Sequence, residues 1–181
     1  MAHNIICDFT KYQTITVYKV IGDEDCLSDY VRKHSTPTTS DWSGIYFQFS
    51  IDHALRSLFY RTDQGYEKMR LVEITFKGLD VFKLTGDIFI DGSVSDVEKS
   101  TVVKDTLSID KQKKLVESVK GALMIEELKN DFELIVPIHM ILDNKVSCDE
   151  VVLKEYKIEK SLTVYERNLD QPGEWRIVKV K

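Results

Sequence analysis

The sequence predicts an α+β domain made mainly of antiparallel β-sheets with a few flanking helices. Segments rich in β-branched and aromatic residues are more numerous than segments with helical spacing. They follow one another irregularly, as strand, helix, strand, helix, several strands, one long helix and strands again, with hairpin-like turns and few βαβ intervals. A length of 181 residues, of which 43% are hydrophobic, fits one domain over residues 1–181.

The first half of the chain is dominated by strands, and its second helix has a recognisable start. Ser50 suits a helix N-cap, with its hydroxyl accepting a hydrogen bond from the amide of His53. The predicted elements are, in order, a strand over Thr14–Ile21, a short helix over Cys26–Lys33, a polar Ser/Thr-rich loop over residues 34–43, a strand over Gly44–Phe49, a helix from Ser50 to about Tyr60, a strand over Met69–Phe76, a turn at Lys77-Gly78 and a strand over Val81–Leu84.

The second half begins with the clearest helical pattern, which runs from Ser108 or Asp110 to Asn130. Its apolar residues fall at helical spacing, although Gly121 in its interior costs about 1 kcal/mol relative to alanine. The next segment, Phe132–Leu142, is an apolar strand that Pro137 marks as an edge strand or a broken one. The remaining predicted elements are one long strand or two shorter ones over Val151–Arg167 and a final strand over Trp175–Val180.

Charge and cysteine content exclude several classes of function. The 25 basic and 30 acidic residues give a net charge of −5, which argues against binding to nucleic-acid backbones. Three scattered cysteines indicate thiols of a reducing compartment, and four scattered histidines do not indicate a metal site. The N-terminus has no signal-peptide pattern and no apolar run is long enough to span a membrane, so we expect a soluble protein that would be secreted only by a signal-independent route.

Three segments carry the functional signal. Val17-Tyr18-Lys19 ends the first strand, Gly44-Ile45-Tyr46-Phe47 precedes a helix, and Glu133-Leu134-Ile135-Val136 opens an apolar run with a single carboxylate. Taken singly, they are typical of a buried strand, an amphipathic helix and a solvated charge. In this order, over about residues 14–142, they resemble the ADP-ribosyltransferase superfamily, which includes the poly-ADP-ribose polymerases and many bacterial toxins and effectors.

The resemblance implies a pair of mainly antiparallel sheets that binds NAD as a substrate, with no metal. It implies three catalytic residues: Glu133 beside the NAD ribose, Tyr46 stacked on nicotinamide, and Asp131, which takes part in selecting the acceptor. The residues that it implies for NAD binding are Lys19, Tyr18, Gly44, Tyr46, Ser50 and, on the second side of the stack, Tyr60.

The residue types suit the chemistry that the resemblance implies. Cleavage of the bond between nicotinamide and ribose builds positive charge on the sugar, and a carboxylate such as Glu133 stabilises such charge. Two departures from the family pattern are present. Lys19 stands where the family usually has His or Arg, and Gln48-Phe49-Ser50 stands in place of the Ser-Thr-Ser of the arginine-type branch.

We therefore expect a monomeric mono-ADP-ribosyltransferase, a bacterial effector or toxin that modifies a protein acceptor in a eukaryotic host. The alternatives are an NAD glycohydrolase with the same pocket and a non-catalytic protein-binding module on the same fold. The enzyme reading predicts that the strand at residues 44–49 and the strand that starts near Glu133 lie side by side, with Tyr46, Glu133 and Lys19 facing one cleft. Loop 34–43 would cover that cleft, and the cations available for the diphosphate are Lys19, Arg32, Lys33 and Arg56.

Overall fold

A computed structural model describes residues 6–24, 26–34, 44–61, 66–85, 121–128, 131–160 and 163–178. These residues form a mixed α and β structure with mostly strands. The elements in chain order are β1 (Ile6–Ile21), α1 (Leu27–His34), β2 (Gly44–Gln48), α2 (Ile51–Arg61), β3 (Lys68–Thr85), β4 (Ala122–Leu128), β5 (Asp131–Pro137), α3 (Ile138–Leu142), β6 (Ser147–Lys160), β7 (Thr163–Asn168) and β8 (Arg176–Val178).

The described strands form one hydrogen-bonded sheet in the order β1-β2-β5-β4-β3-β6-β7-β8, and β1 pairs with β3 as well. This additional pairing closes five strands, β1, β2, β5, β4 and β3, into a ring, from which β6, β7 and β8 extend. The pairing of β1 with β3 runs from Ile6↔Thr85 to Ile21↔Arg70 and is antiparallel. The pairing of β3 with β4 is parallel and short, from Val81↔Ala122 to Leu84↔Ile125.

Two apolar clusters hold the ring and its extension together. The larger cluster includes Phe47 and Phe76, whose rings meet edge to face with centroids 5.2 Å apart. The smaller cluster packs helix α2 against β1, β3, β6 and β7 through side chains that include Leu58, Met69 and Tyr156. Each large side chain buried in this way contributes about 1.5–3 kcal/mol, so burial in these clusters is the main source of stability for the sheet.

Strand β3 is continuous where the sequence predicts a turn at Lys77-Gly78 between two strands. Gly78 has a φ of 64°, a conformation that residues with a Cβ rarely adopt. The pairing with β1 continues on both sides of it, at Thr14↔Lys77 and Tyr12↔Leu79. The glycine therefore produces a local irregularity within one long strand, because β1 holds both halves of β3 in the same sheet.

The predicted long helix is wrong over residues 122–128, which form strand β4. Ala122 and Leu123 are almost completely buried, and β4 is paired on both sides, with β3 and with β5. A Cβ added to Gly121 would press against the backbone carbonyl of Asp80, so the glycine permits the close approach of β4 to β3. Tertiary pairing has overridden the helical propensity of this segment. Residues 108–120 lie outside the described residues.

The remaining expectations hold with changes of boundary. The strand predicted over Phe132–Leu142 ends at Pro137, and residues 138–142 form helix α3. Of the two alternatives that Pro137 left open, the broken strand is confirmed and the edge strand is wrong, because β2 and β4 pair with the two sides of β5. The predicted segment Val151–Arg167 is two strands, β6 and β7. Residues 35–43 of the predicted loop lie outside the described residues.

Candidate functional site

Strands β2 and β5 lie side by side, as the sequence predicts. They are antiparallel, and their register places Gln48 opposite Glu133 and Tyr46 opposite Ile135. Directly opposite residues in such a pair point to the same face, and so do residues two apart on one strand. Tyr46, Gln48, Asp131 and Glu133 therefore share one face of the two strands, which we call the polar face.

The polar face carries a positioned carboxylate. The Gln48 side-chain amide donates a hydrogen bond of 2.7 Å from Nε2 to Glu133 Oε1. Glu133 is half-buried at the start of a strand whose next four residues are all buried. The carboxylate thus has a fixed direction and stands at the boundary between solvent and core, where its charge acts over a longer range than in bulk water.

Tyr46 is half-buried and lies diagonally across the strand pair from Glu133. Diagonal neighbours of this kind are about 7–8 Å apart, a distance that an aromatic side chain spans. Gly44 continues the same face. A Cβ at Gly44 would come within 2.6 Å of Ile135 Cγ2 and 3.0 Å of the Val136 carbonyl oxygen, so this glycine serves the close packing of β2 on β5.

Helix α2 adds a histidine to this site that the sequence analysis did not single out. The Ser50 hydroxyl accepts a hydrogen bond of 3.2 Å from the amide of His53, which is the N-cap that the sequence predicts. The imidazole Nδ1 of His53 lies 2.9 Å from Asp131 Oδ1. A side chain in the first turn of α2 meets β5 only because β2, which leads into α2, is paired with β5. No signal in the local sequence carries that information.

Strand alternation separates the two predicted NAD-binding residues of β1. Tyr18 is in register with Gln48, so Tyr18 lies on the polar face. Burial raises the pKa of its hydroxyl, and the charge of Glu73 and a hydrogen bond to that carboxylate raise it further. The adjacent Lys19 leaves the strand on the other face, which differs from the expectation that it faces the same cleft as Tyr46 and Glu133.

The Lys19 ammonium is engaged inside the fold. Its Nζ donates a hydrogen bond of 2.7 Å to the Tyr46 carbonyl oxygen. It also lies 5.2 Å from the centre of the Tyr30 ring and 5.6 Å from that of Phe47, distances at which a cation and an aromatic face attract each other. This cation therefore ties β1 to β2 and α1.

The other residues predicted to contact NAD lie on helices α1 and α2. Tyr60 belongs to α2, but its side chain lies outside the described part of the structure. On α1, Arg32 forms an ion pair of 3.0 Å with Asp29, and Lys33 forms ion pairs with Asp23 and Glu24. Arg56 is exposed on α2. The structure thus brings together Tyr18, Tyr46, Ser50, Asp131 and Glu133, with Gly44 at the margin, whereas Arg32 and Lys33 lie on α1.

Outside the polar face, the described residues include a cavity but hold no cluster typical of a metal site. Within the described ranges, no three His, Cys, Asp or Glu side chains gather closely enough to hold a metal ion. No helix in these ranges is both long and apolar enough to cross a bilayer. A cavity of about 250 Å³ lies at strands β6, β7 and β8. Its lining residues are Lys154, Glu166, Asn168, Gln171, Pro172, Gly173, Glu174 and Arg176.

Comparison with known proteins gives no relative from which a function could be inferred. No family model matches the chain, and none of the curated proteins compared with it is a match.

Proposed function

We propose that this protein is an NAD-dependent mono-ADP-ribosyltransferase, a bacterial effector or toxin that transfers ADP-ribose to a protein acceptor of a eukaryotic host and releases nicotinamide. The observation that carries the proposal is the polar face. Adjacent strands present Tyr46 and Glu133 together, and the Gln48 amide orients the carboxylate from 2.7 Å away. The two residues come from segments 87 positions apart in the chain, and the β2–β5 register brings them to one face.

The chemistry follows from these positions. When the bond from the ribose C1′ to the nicotinamide nitrogen breaks, nicotinamide leaves with the electron pair and positive charge develops on the ribose. The Glu133 carboxylate is already oriented, so it stabilises that charge without the free-energy cost of reorganising water around it. Tyr46 supplies a ring for nicotinamide to stack on, which contributes about 0.5–1.5 kcal/mol and orients the leaving group.

The finer fold prediction, a pair of sheets, is part of this proposal. The described strands form one sheet in which the long β1–β3 pairing joins two antiparallel groups, β4-β5-β2-β1 and β3-β6-β7-β8. The polar face belongs to the first group, and β1 places Tyr18 beside it at the junction.

The test is incubation of the whole chain with biotinylated NAD and a eukaryotic lysate, with nicotinamide release measured in parallel. We expect labelled protein bands and nicotinamide release, both lost in Glu133→Gln. The matched control is Glu174→Gln, which removes an exposed carboxylate from the segment between β7 and β8. It should leave both signals unchanged. Nicotinamide release without labelling would assign the protein to the glycohydrolases, and absence of both signals would overturn the enzymatic function.

One observation favours a second candidate, a non-catalytic protein-binding module on the same fold. The Lys19 ammonium is bonded to the Tyr46 carbonyl and lies over two rings, so it contributes to the packing of the fold. Titration calorimetry with NAD separates the two candidates. Binding of NAD supports the transferase, whereas no heat of binding together with no nicotinamide release supports the module.

A further inference from the structure

His53 and Asp131 form a close pair on the polar face, where Asp131 stands two residues before Glu133 on β5. We propose, on the basis of the transferase function, that His53 is the base that removes the proton from the acceptor, that Asp131 positions it, and that the acceptor group is the hydroxyl of a Ser, Thr or Tyr side chain. The pair lies at the junction of α2 and β5, with Nδ1 of His53 2.9 Å from Asp131 Oδ1.

The hydrogen bond to Asp131 decides which imidazole nitrogen is available. A carboxylate only accepts hydrogen bonds, so Nδ1 carries the proton and donates it, and Nε2 of the neutral ring has a lone pair that accepts one. This is the arrangement by which a buried carboxylate orients a histidine base in serine hydrolases. The His53 side chain is 26% exposed and that of Asp131 is 19% exposed, so the pair is anchored in the fold and still accessible to a second substrate.

The site holds His53 rigidly. Its own amide donates to the Ser50 hydroxyl at 3.2 Å, which fixes the first turn of α2 relative to the end of β2. Asp131 and Glu133 are two residues apart on one strand, about 6.5 Å along the strand axis. The acceptor oxygen would bind on the polar face, between this pair and the carboxylate that stabilises the ribose.

The transfer step balances with these groups alone. The bond from C1′ to the nicotinamide nitrogen breaks and the electron pair leaves with nicotinamide. A bond forms between the acceptor oxygen and C1′, and the hydroxyl proton passes to Nε2 of His53 and from there to solvent. No oxidant, reductant or metal is needed.

The charges at the site favour a hydroxyl acceptor over a carboxylate acceptor. An ionised Asp or Glu acceptor has no proton to lose, so it has no use for a base, and the charges of Asp131 and Glu133 repel it. A hydroxyl group is neutral when it binds and becomes a strong nucleophile only as its proton leaves, which is the step that a positioned histidine accelerates by about 10²–10⁴.

The variant that separates a base from a structural contact is His53→Asn. The asparagine amide keeps an N–H group that donates to Asp131, but it has no basic nitrogen. We expect nicotinamide release to stay within about threefold of the unaltered protein, because bond breaking depends on Glu133, and the share of ADP-ribose that reaches protein to fall by about 10²-fold, the lower end of the effect of a positioned base. Asp131→Asn should have the same effect, since it no longer fixes the ring in the reactive tautomer. His139→Asn, an exposed histidine on α3, is the matched control and should change neither rate.

Two further measurements complete the test. Added imidazole should restore transfer in His53→Ala, provided that its thermal unfolding shows a folded protein, and the label on the acceptor should resist neutral hydroxylamine, which cleaves ester links to carboxylates. Unchanged transfer in His53→Asn, or a label that hydroxylamine removes, would overturn this inference. The transferase function would still stand in that case, provided that labelling depends on Glu133. Failure of the unaltered protein to release nicotinamide would instead overturn the proposed function itself.

Discussion

The Glu133 carboxylate is oriented before any substrate arrives, because Gln48 donates to one of its oxygens across the β2–β5 pairing. A charge fixed in this way contributes chiefly when opposite charge appears in the transition state and contributes less to binding of the ground state. We expect Glu133→Gln to leave NAD affinity within a few-fold and to lower turnover by about 10²–10³. Titration calorimetry and steady-state nicotinamide release measure the two quantities, and full turnover in this variant would make Glu133 a surface charge.

Lys19 was expected to contact NAD, but in the fold its ammonium makes contacts with the protein itself. Since its ammonium bonds to the Tyr46 carbonyl and lies over the Tyr30 ring, we expect Lys19→Met to lower the free energy of unfolding by about 1–2 kcal/mol. Methionine keeps the apolar stem and removes only the charged group. Lys11→Met, at an exposed position of the same strand, is the control and should stay within about 0.5 kcal/mol. Urea unfolding measures both, and an unchanged stability with weaker NAD binding would return Lys19 to the NAD contacts.

At the scale of single elements, the local sequence pattern predicts a helix or strand correctly where the pairing with neighbouring strands favours the same structure. Ser50 and His53 begin α2 as the hydroxyl cap predicts, and Gly44–Gln48 is the expected aromatic strand. Strand β4 is the counterexample, because residues Ala122–Leu128 include Ala, Leu, Met and Glu, which all favour helices. The pairing with β3 and β5 decides its structure, and both partners are separate segments of the chain, residues 68–85 and 131–137. Gly121 was the local clue, since a glycine inside a helical pattern also fits a close backbone approach.

The close approach at Gly121 gives a prediction for the β3–β4 contact. In Gly121→Ala the new methyl group meets the backbone of Asp80, which has no flexible end that could move aside. We expect a loss of about 1–3 kcal/mol in the free energy of unfolding, typical of overpacking. Gly173→Ala is the matched control, because its Cβ would find its nearest neighbour, the Gln171 carbonyl oxygen, at an ordinary 3.6 Å. Denaturant unfolding of both variants measures the difference, and equal midpoints would contradict the close approach.

At the scale of the whole molecule, the stability should depend on alkaline pH through one buried tyrosine. Tyr156 is fully buried between α2 and the sheet, and burial, followed by the charge of Glu166, raises the pKa of its hydroxyl above the usual 10.0. Above about pH 10 the unfolded chain loses this proton while the folded chain keeps it. The free energy of unfolding should therefore fall as pH rises through this range, by up to about 1.4 kcal/mol per pH unit from this group.

The matching variant is Tyr156→Phe. Its hydroxyl finds no hydrogen-bond partner among the described residues, so removal of the oxygen should be neutral or stabilising at pH 7. It should also remove this part of the dependence on alkaline pH. Thermal unfolding between pH 8 and about pH 11 measures both effects, and a clear loss of stability at pH 7 would indicate a partner for the hydroxyl.

The assembly of the polar face was predictable only in part. The order of the GIYF and ELIV segments pointed to adjacent strands, and the β2–β5 register brings Tyr46 and Glu133 to one face. Tyr18 and Lys19 were both expected there, but neighbouring residues of a strand point to opposite faces. The register pair Tyr18↔Gln48 shows that Tyr18 is the one on the polar face. His53 was not foreseen as a site residue. Registers between strands depend on the whole sheet, so no local pattern along the chain contains them.

The closed ring has a consequence for the order of events during synthesis. Strands β1 and β3 can pair with each other once residue 85 has been made, but β4 and β5, which close the ring, come from residues 122–137. Pairings between distant segments form slowly, because the chain loses much entropy before the contacts repay it. Glu133 and Asp131 are carried by the closing strand. A growing chain therefore has no polar face until its ring is complete, and a fragment ending before residue 131 would lack both the Asp131 and the Glu133 carboxylates.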